Sequence, residues 1–309
     1  MRMLKFYVIS FVIVSVFISS NAMALDETST TELINKSELS IYGETFEKGL
    51  IYRIENIEKN LFGKSSKGSV LKRAEIIDES LYNCSEKNNA LETLVNFMEW
   101  RLWENLENDG FINRVPRIEK LLFGKELTGP ISNRVQSILK NSLLGKPLHI
   151  QKVVLSEGTL IKLKTLDTIS SRNAQMEDSF QFQVVDNIVI NNCLVIPKGI
   201  KGICKIFKIK RAKKFGRNGK ITLEFQSIKS IDGQHVGLAI NAQAIENNKQ
   251  AGIAASASIV GVAALGPLGL LSGLFINGED VTIPEETEIY AAVKEPVNVK
   301  AVFLPALED

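Results

Sequence analysis

The chain has 309 residues, 37 basic and 35 acidic side chains, a formal net charge of +2 and only three cysteines. A balance this close to zero does not argue for nucleic acid as a partner, and three cysteines cannot all pair with one another. The length allows about two domains.

Arg2 and Lys5 precede an apolar stretch from Phe6 to Ile18, and Ala22-Met23-Ala24 follows. That order predicts a secretory signal peptide over residues 1–24, with cleavage after the A-x-A site. The alternative is an uncleaved anchor. No cysteine lies near the expected cut, because the first is Cys84, so a lipid-anchored form is not expected. Removing residues 1–24 takes away Arg2 and Lys5 and no acid, which leaves 35 basic and 35 acidic side chains. Residues 25–45 are rich in Thr, Ser and Glu and read as a disordered lead-in.

Residues 46–146 read as a helical repeat region. Arg53, Ile54, Ile57, Glu58, Lys59, Leu61, Phe62, Gly63 and Lys64 recur 61 positions later as Arg114, Val115, Ile118, Glu119, Lys120, Leu122, Phe123, Gly124 and Lys125. Gly68 and Arg73 match Gly129 and Arg134 in the same way. A finer period near 20 shows in the ten-residue steps from Gly43 to Arg53, Gly63 to Arg73 and Gly124 to Arg134. Ile54, Ile57 and Leu61 make one apolar stripe at helical spacing, and Gly63 supplies the left-handed residue past the helix end. Each unit is then a short helix with a glycine stop, and such helices must pack on one another. Between the two copies, Leu91, Leu94, Met98 and Leu102 predict a longer amphipathic helix that carries Trp100 and Trp103.

Residues 150–305 switch to period two. Phe180, Phe182 and Val184 alternate with Gln181 and Gln183; Ile221, Leu223 and Phe225 alternate with Thr222 and Glu224. These are half-buried strands. Asn191-Asn192, Asn218-Gly219 and Asp232-Gly233 are tight-turn pairs, the last two predicting hairpins with positive φ at both central residues. The expected fold class is α+β: N-terminal short-helix repeats, then an antiparallel β-barrel or sandwich of about seven to nine strands with an inserted apolar helical hairpin. Ile196-Pro197-Lys198-Gly199 is echoed by Ile283-Pro284-Glu285-Glu286, each proline ending a strand. Cys193 and Cys204 fall on neighbouring predicted strands, as a bridge or as two small core thiols.

The insertion, Ala251–Ile276, holds 26 uncharged residues with Gly266-Pro267 near its middle. As one straight helix it would measure about 39 Å, but the proline favours two short helices in a hairpin. Ile259, Val260, Leu265 and Leu268 supply its apolar contact, with Leu270, Leu271, Leu274 and Phe275 beyond. Three destinations fit: the open end of the β-domain, a membrane (alone or in a ring of subunits), or a partner surface.

The run 198–220 holds ten basic residues and no acid; Lys208, Lys210, Lys213, Lys214 and Arg217 form its basic surface. It suits an anionic envelope polymer or lipid headgroups, or it is a solvated edge hairpin. Its sparse aromatic interleaving argues against single-stranded nucleic acid. His149 and His235 sit in no metal-ligand spacing, and no catalytic constellation or cofactor motif is assembled.

The phrase 196–199, Phe215-Gly216-Arg217 with Gly219-Lys220, Asp232-Gly233, Gly266-Pro267-Leu268-Gly269 and Ile283-Pro284 together resemble a β-domain of uncharacterised exported bacterial envelope proteins. The RIxxIExxLFGK repeat resembles the helical units that precede that domain in envelope proteins of diderm Firmicutes. More distantly the domain resembles the TrbI-like barrel of conjugation machinery, a ring-forming envelope barrel with a helical insertion. This chain lacks that family's inner-membrane helix and long Pro-rich linker. The resemblance implies a non-enzymatic structural or assembly protein, exported to the periplasm or outer membrane. Its expected partners are an envelope membrane, a protein partner or further copies of itself. The alternative is a periplasmic module that binds an anionic polymer through the basic hairpin.

Overall fold

The structure is a computed structural model that describes residues 30–83, 89–107, 109–141, 148–212, 219–250 and 280–304. The predicted leader and the uncharged run lie outside those residues. The chain is α+β and divides into two units, Met1–Asn83 with Asp109–Gly145, and Cys84–Asn108 with Lys146–Asp309.

The first unit is built from short helices: α1 (30–42), α2 (Leu50–Phe62), α3 (Val70–Tyr82), α5 (Phe111–Phe123) and α6 (Ile131–Asn141). Helix α1 corrects the expectation of disorder over 25–45. Its buried stripe is Ile34, Ser37, Glu38 and Ile41, so half of the stripe is polar and the apolar period is hidden in the sequence. The glycine stops behave as expected: Gly43, Gly63 and Gly124 take φ of 80°, 77° and 69°, a region closed to most side chains. Helix α2 packs on α3 and α6, and α5 packs on α6. The Ser132 hydroxyl at the start of α6 donates to the Leu61 carbonyl at the end of α2, over 2.6 Å.

Three successive pairs of these helices, α1–α2, α2–α3 and α5–α6, are each tied by one buried carboxylate. Arg53 forks onto Glu38 with Nε–Oε1 at 2.9 Å and Nη2–Oε2 at 2.6 Å. Arg73 does the same to Glu58 at 3.1 and 2.7 Å, and Arg134 to Glu119 at 2.9 and 2.6 Å. In all three the Arg follows the Glu by 15 residues. The same carboxylate also accepts the backbone N–H eight residues on, from Phe46, Ser66 and Leu127 at 3.0–3.1 Å. One Glu therefore fixes both the loop and the entry of the following helix. Each charge lies at the end of its helix that the macrodipole disfavours, acid near the C-terminus and base near the N-terminus. The bidentate geometry supplies what the helix ends do not.

Burial pushes the Glu58 carboxyl up, but the Arg73 hydrogen bond, the Ser66 N–H and the Arg73 charge outweigh it and hold the group below its ordinary value of 4.5. A carboxyl held down in the folded state adds stability that is complete above its unfolded value and disappears as pH falls through the lower folded one. Urea midpoints should therefore fall more steeply below pH 4.5 in the natural chain than in Glu58→Gln. Parallel acid limbs would count against the pairing.

The second unit has thirteen strands among its described residues: β1 (Ile150–Leu155), β2 (Leu160–Thr165), β3 (Ile169–Ser170), β4 (Ser179–Val184), β5 (Ile188–Ile190), β6 (Cys193–Ile196), β7 (Lys201–Lys210), β8 (Lys220–Phe225), β9 (Ser227–Lys229), β10 (His235–Ala239), β11 (Thr282–Ile283), β12 (Glu288–Val293) and β13 (Val297–Phe303). The larger sheet runs β8-β7-β4-β2-β12-β10-β9 and curls into a nearly closed barrel; the other runs β1-β13-β6-β5, and β3 pairs with β11. This is more than a meander, since β1 pairs with β13 and β2 with β12 across most of the unit. Phe182 and Phe225 meet edge to face inside, with centroids 5.2 Å apart. The turn chemistry also differs from expectation. Asn191 and Asn192 carry positive φ at both positions, 51° and 61°, whereas at Asp232-Gly233 only the glycine does.

Helix α4 (Leu91–Trp103) belongs to this unit and packs on β13. Residues 91–99 are buried without a break, so it is a core helix and not the amphipathic one expected. The Asn96 amide donates to the Ile231 carbonyl over 2.9 Å. At the far end of α4, the Pro197-Lys198-Gly199 turn is its seat. Lys198 Nζ lies 2.8 Å from Glu104, and Asn187 Oδ1 accepts both the Lys198 N–H at 2.7 Å and the Trp100 indole N–H at 2.9 Å.

Cys193 and Cys204 are buried free thiols and form no bridge. Their strands, β6 and β7, belong to different sheets. Burial raises both thiols, Cys204 to about 12, which fits small core residues.

Candidate functional site

The uncharged run follows α7 (Ala242–Gln250) in sequence and ends four residues before Asp280, and the described residues on both sides of it are fastened to the sheet. At the outgoing end, Asn241 Oδ1 accepts the Ala244 N–H at 2.8 Å and starts α7 as a side-chain cap. Helix α7 packs on β12. The buried Asn248 amide then pairs with the backbone of Tyr290, donating from Nδ2 to the carbonyl at 3.0 Å and accepting the N–H at 2.7 Å. A side-chain amide thus takes the place of a neighbouring strand at that residue.

The returning end is held by Ser171 and Arg172. The Ser171 hydroxyl donates to Asp280 Oδ1 at 3.0 Å and accepts the Val281 N–H at 3.0 Å. Ser171 N–H donates to the Val281 carbonyl at 2.8 Å, and Arg172 Nε meets Asp280 Oδ2 at 3.0 Å. The Arg172 hydrogen bond outweighs partial burial and holds the Asp280 carboxyl below its ordinary value, with Ser171 and the Ala212 N–H assisting.

This clasp also reaches the β7–β8 hairpin. Asp280 Oδ1 accepts the Ala212 N–H at 3.4 Å, two residues past the end of β7. Just before β8, a Cβ on Gly219 would lie 2.5 Å from Ser171 Oγ and 3.1 Å from Val281 N. The base of the basic hairpin and the returning end of the uncharged run therefore share one corner of the β-unit.

Of the basic residues named from the sequence, Lys208 and Lys210 are exposed on β7, while Lys213, Lys214 and Arg217 lie outside the described residues. Ile259, Val260, Leu265, Leu268, Leu270, Leu271, Leu274 and Phe275 also lie outside them. A β-bulge at Phe207 resets the pleat, so that Lys208 stands opposite Thr222 and Lys210 directly opposite Lys220. Lys220, the last residue of the basic run, stands with them. Its register partner shows it, because a hairpin brings residues ten apart onto one face. Burial first, then the charges of Lys210 and Lys208, hold the Lys220 ammonium below its ordinary value. Further along the same pair of strands, Lys205 stands opposite Glu224 and lies 3.8 Å from Glu177. Among the described residues no carboxylate forms an ion pair with Lys208, Lys210 or Lys220.

Neither histidine joins a cluster: His149 gives its carbonyl to the Phe303 N–H, and His235 Nδ1 lies 2.9 Å from the Ser227 hydroxyl. No helix among the described residues is long and apolar enough to cross a membrane.

No protein-family model matches the chain, and no curated protein matches it in sequence. Among solved structures it is similar to ComB10 of the Com type IV secretion system of Helicobacter pylori. That likeness has 16% identity and a TM-score of 0.27, over 49% of this chain and 97% of that one. A TM-score of 0.27 is too low for the likeness to carry an argument about role.

Proposed function

We propose that this chain is a non-enzymatic structural or assembly protein of the bacterial cell envelope. It associates with a membrane or with partner subunits through the uncharged run 251–276. The leader-like N-terminus supports export to the periplasm or outer membrane, and the helical repeats offer a second docking body. The observation that carries the reading is the independent fastening of both stems, by Asn248 on Tyr290 and by Asp280 on Ser171 and Arg172. A run of 26 uncharged residues between two ends fastened in this way supports association through its apolar side chains.

Deleting 251–276 tests this. The shortened chain is expected to leave the membrane fraction while its β-unit melts at the temperature of the natural chain. Unfolding of the shortened chain would make the run part of the core and end the reading, as would undiminished membrane association.

A further inference from the structure

We infer that Lys208, Lys210 and Lys220 form a binding site for phosphate-bearing lipid headgroups, set beside the base of the uncharged run. This deepens the envelope reading and rests on it, by naming the kind of membrane surface that is met.

The three side chains share the outer face of the β7–β8 hairpin, with Lys210 and Lys220 directly across the strands from each other. Like charges in that relation are destabilising. Lysine on an exposed edge does block unwanted pairing, but that purpose does not call for a second lysine opposite the first. Nearer the sheet, the same two strands solve the problem in the ordinary way, with Lys205 opposite Glu224. Towards the hairpin tip they do not, and no carboxylate among the described residues pairs with the three ammonium groups. Lys220 is partly buried, and burial together with the charges of Lys210 and Lys208 holds its ammonium below its ordinary value, so charge is concentrated there against a cost. A phosphate group bound across the three would relieve that repulsion.

Position selects the source of the phosphate. The Ser171–Asp280 clasp brings Ala212 and Gly219, on either side of residues 213–218, together with Asp280, four residues past the end of the uncharged run. An apolar segment entering a bilayer would bring its own base to headgroup depth. Basic side chains just outside an apolar segment are drawn to anionic headgroups. A soluble anionic polymer would need the lysines but not their place beside the run.

The test is flotation of the full chain with vesicles of phosphatidylcholine, and with vesicles in which part of it is replaced by phosphatidylglycerol. The natural chain should prefer the anionic vesicles. Lys208→Gln/Lys210→Gln/Lys220→Gln should lose that preference, binding them about tenfold or more weakly, with neutral vesicles unaffected. Equal melting temperatures confirm that the variant is folded; removing a like-charge pair should not lower them. A variant that keeps the preference overturns the proposal. So does binding of soluble polyphosphate by the natural chain, lost in the triple variant, with no preference for anionic vesicles, because the lysines would then serve a polymer. Equal binding of the natural chain to both vesicles sinks the lysine site and leaves the envelope reading intact. Absence of binding to either sinks the lysine site and leaves the envelope reading to association with partner subunits.

Discussion

Glu58→Ala should cost about 3–5 kcal/mol, the range for removing one partner of a buried ion pair. Arg73 is only 8% exposed and would be left without a counter-charge. The Ser66 N–H would lose its acceptor as well, adding an unpaired donor in a partly buried loop. Chemical denaturation gives the magnitude, and amide exchange along α3 locates it. Glu58→Leu/Arg73→Leu should recover most of the loss, because an apolar pair of similar volume removes both charges at once. A cost below about 1 kcal/mol for Glu58→Ala would mean that the pair behaves as an exposed one.

Gly199→Ala should unseat α4. Gly199 has φ of +92°, and an added Cβ would lie 2.6 Å from Asn105 Cα and 2.7 Å from the Glu104 carbonyl oxygen. Both obstacles are backbone, so no rotamer change relieves them. Strain at the left-handed position costs about 1–3 kcal/mol and overpacking a similar amount, so a loss of roughly 2–5 kcal/mol is expected. The Trp100 indole N–H, bound to Asn187 at 2.9 Å, reports the event as a shifted or exchange-broadened resonance. Lys198→Ala serves as the contrast: it breaks only an exposed pair with Glu104 and should cost under about 1 kcal/mol. If the two variants behave alike, close approach at Gly199 is not what seats the helix.

The sequence made some of this legible and hid the rest for physical reasons. Glycine stops at Gly63 and Gly124 were readable because a left-handed helix end favours glycine. Strand alternation at 180–184 and 221–225 was readable because one face is buried. The recurrence of Glu58 and Arg73 as Glu119 and Arg134 was visible, but charge reads as solvent-facing, and burial of a paired charge leaves no trace in composition. Helix α1 was missed because Ser37 and Glu38 occupy its buried stripe. Helix α4 was recognised as a helix but not placed, since an apolar pattern does not say which apolar surface receives it. The Ile196–Gly199 phrase was read as a strand end, and its second purpose depends on Asn105 and Glu104, far away in the chain. Lys220 is counted in the basic run, but its place opposite Lys210 is hidden because register across a bulged hairpin is not written in any local window.

The Glu-to-Arg step of 15 residues governs how such a chain can change its length. Each carboxylate reads only its own loop and the helix that follows, so register is checked locally and not by the array as a whole. A chain that gained or lost one complete period would keep every remaining lock in phase. One that slipped by a single residue inside a loop would forfeit the lock it spans. Helix starts advance by 20 residues from Leu50 to Val70 and again from Leu91 to Phe111 to Ile131, but by 21 from Val70 to Leu91. At that one slipped step, Asp78 and Leu94 stand where Glu and Arg recur elsewhere. Growth and shrinkage of the array are thereby quantised, and its reach is counted in whole modules.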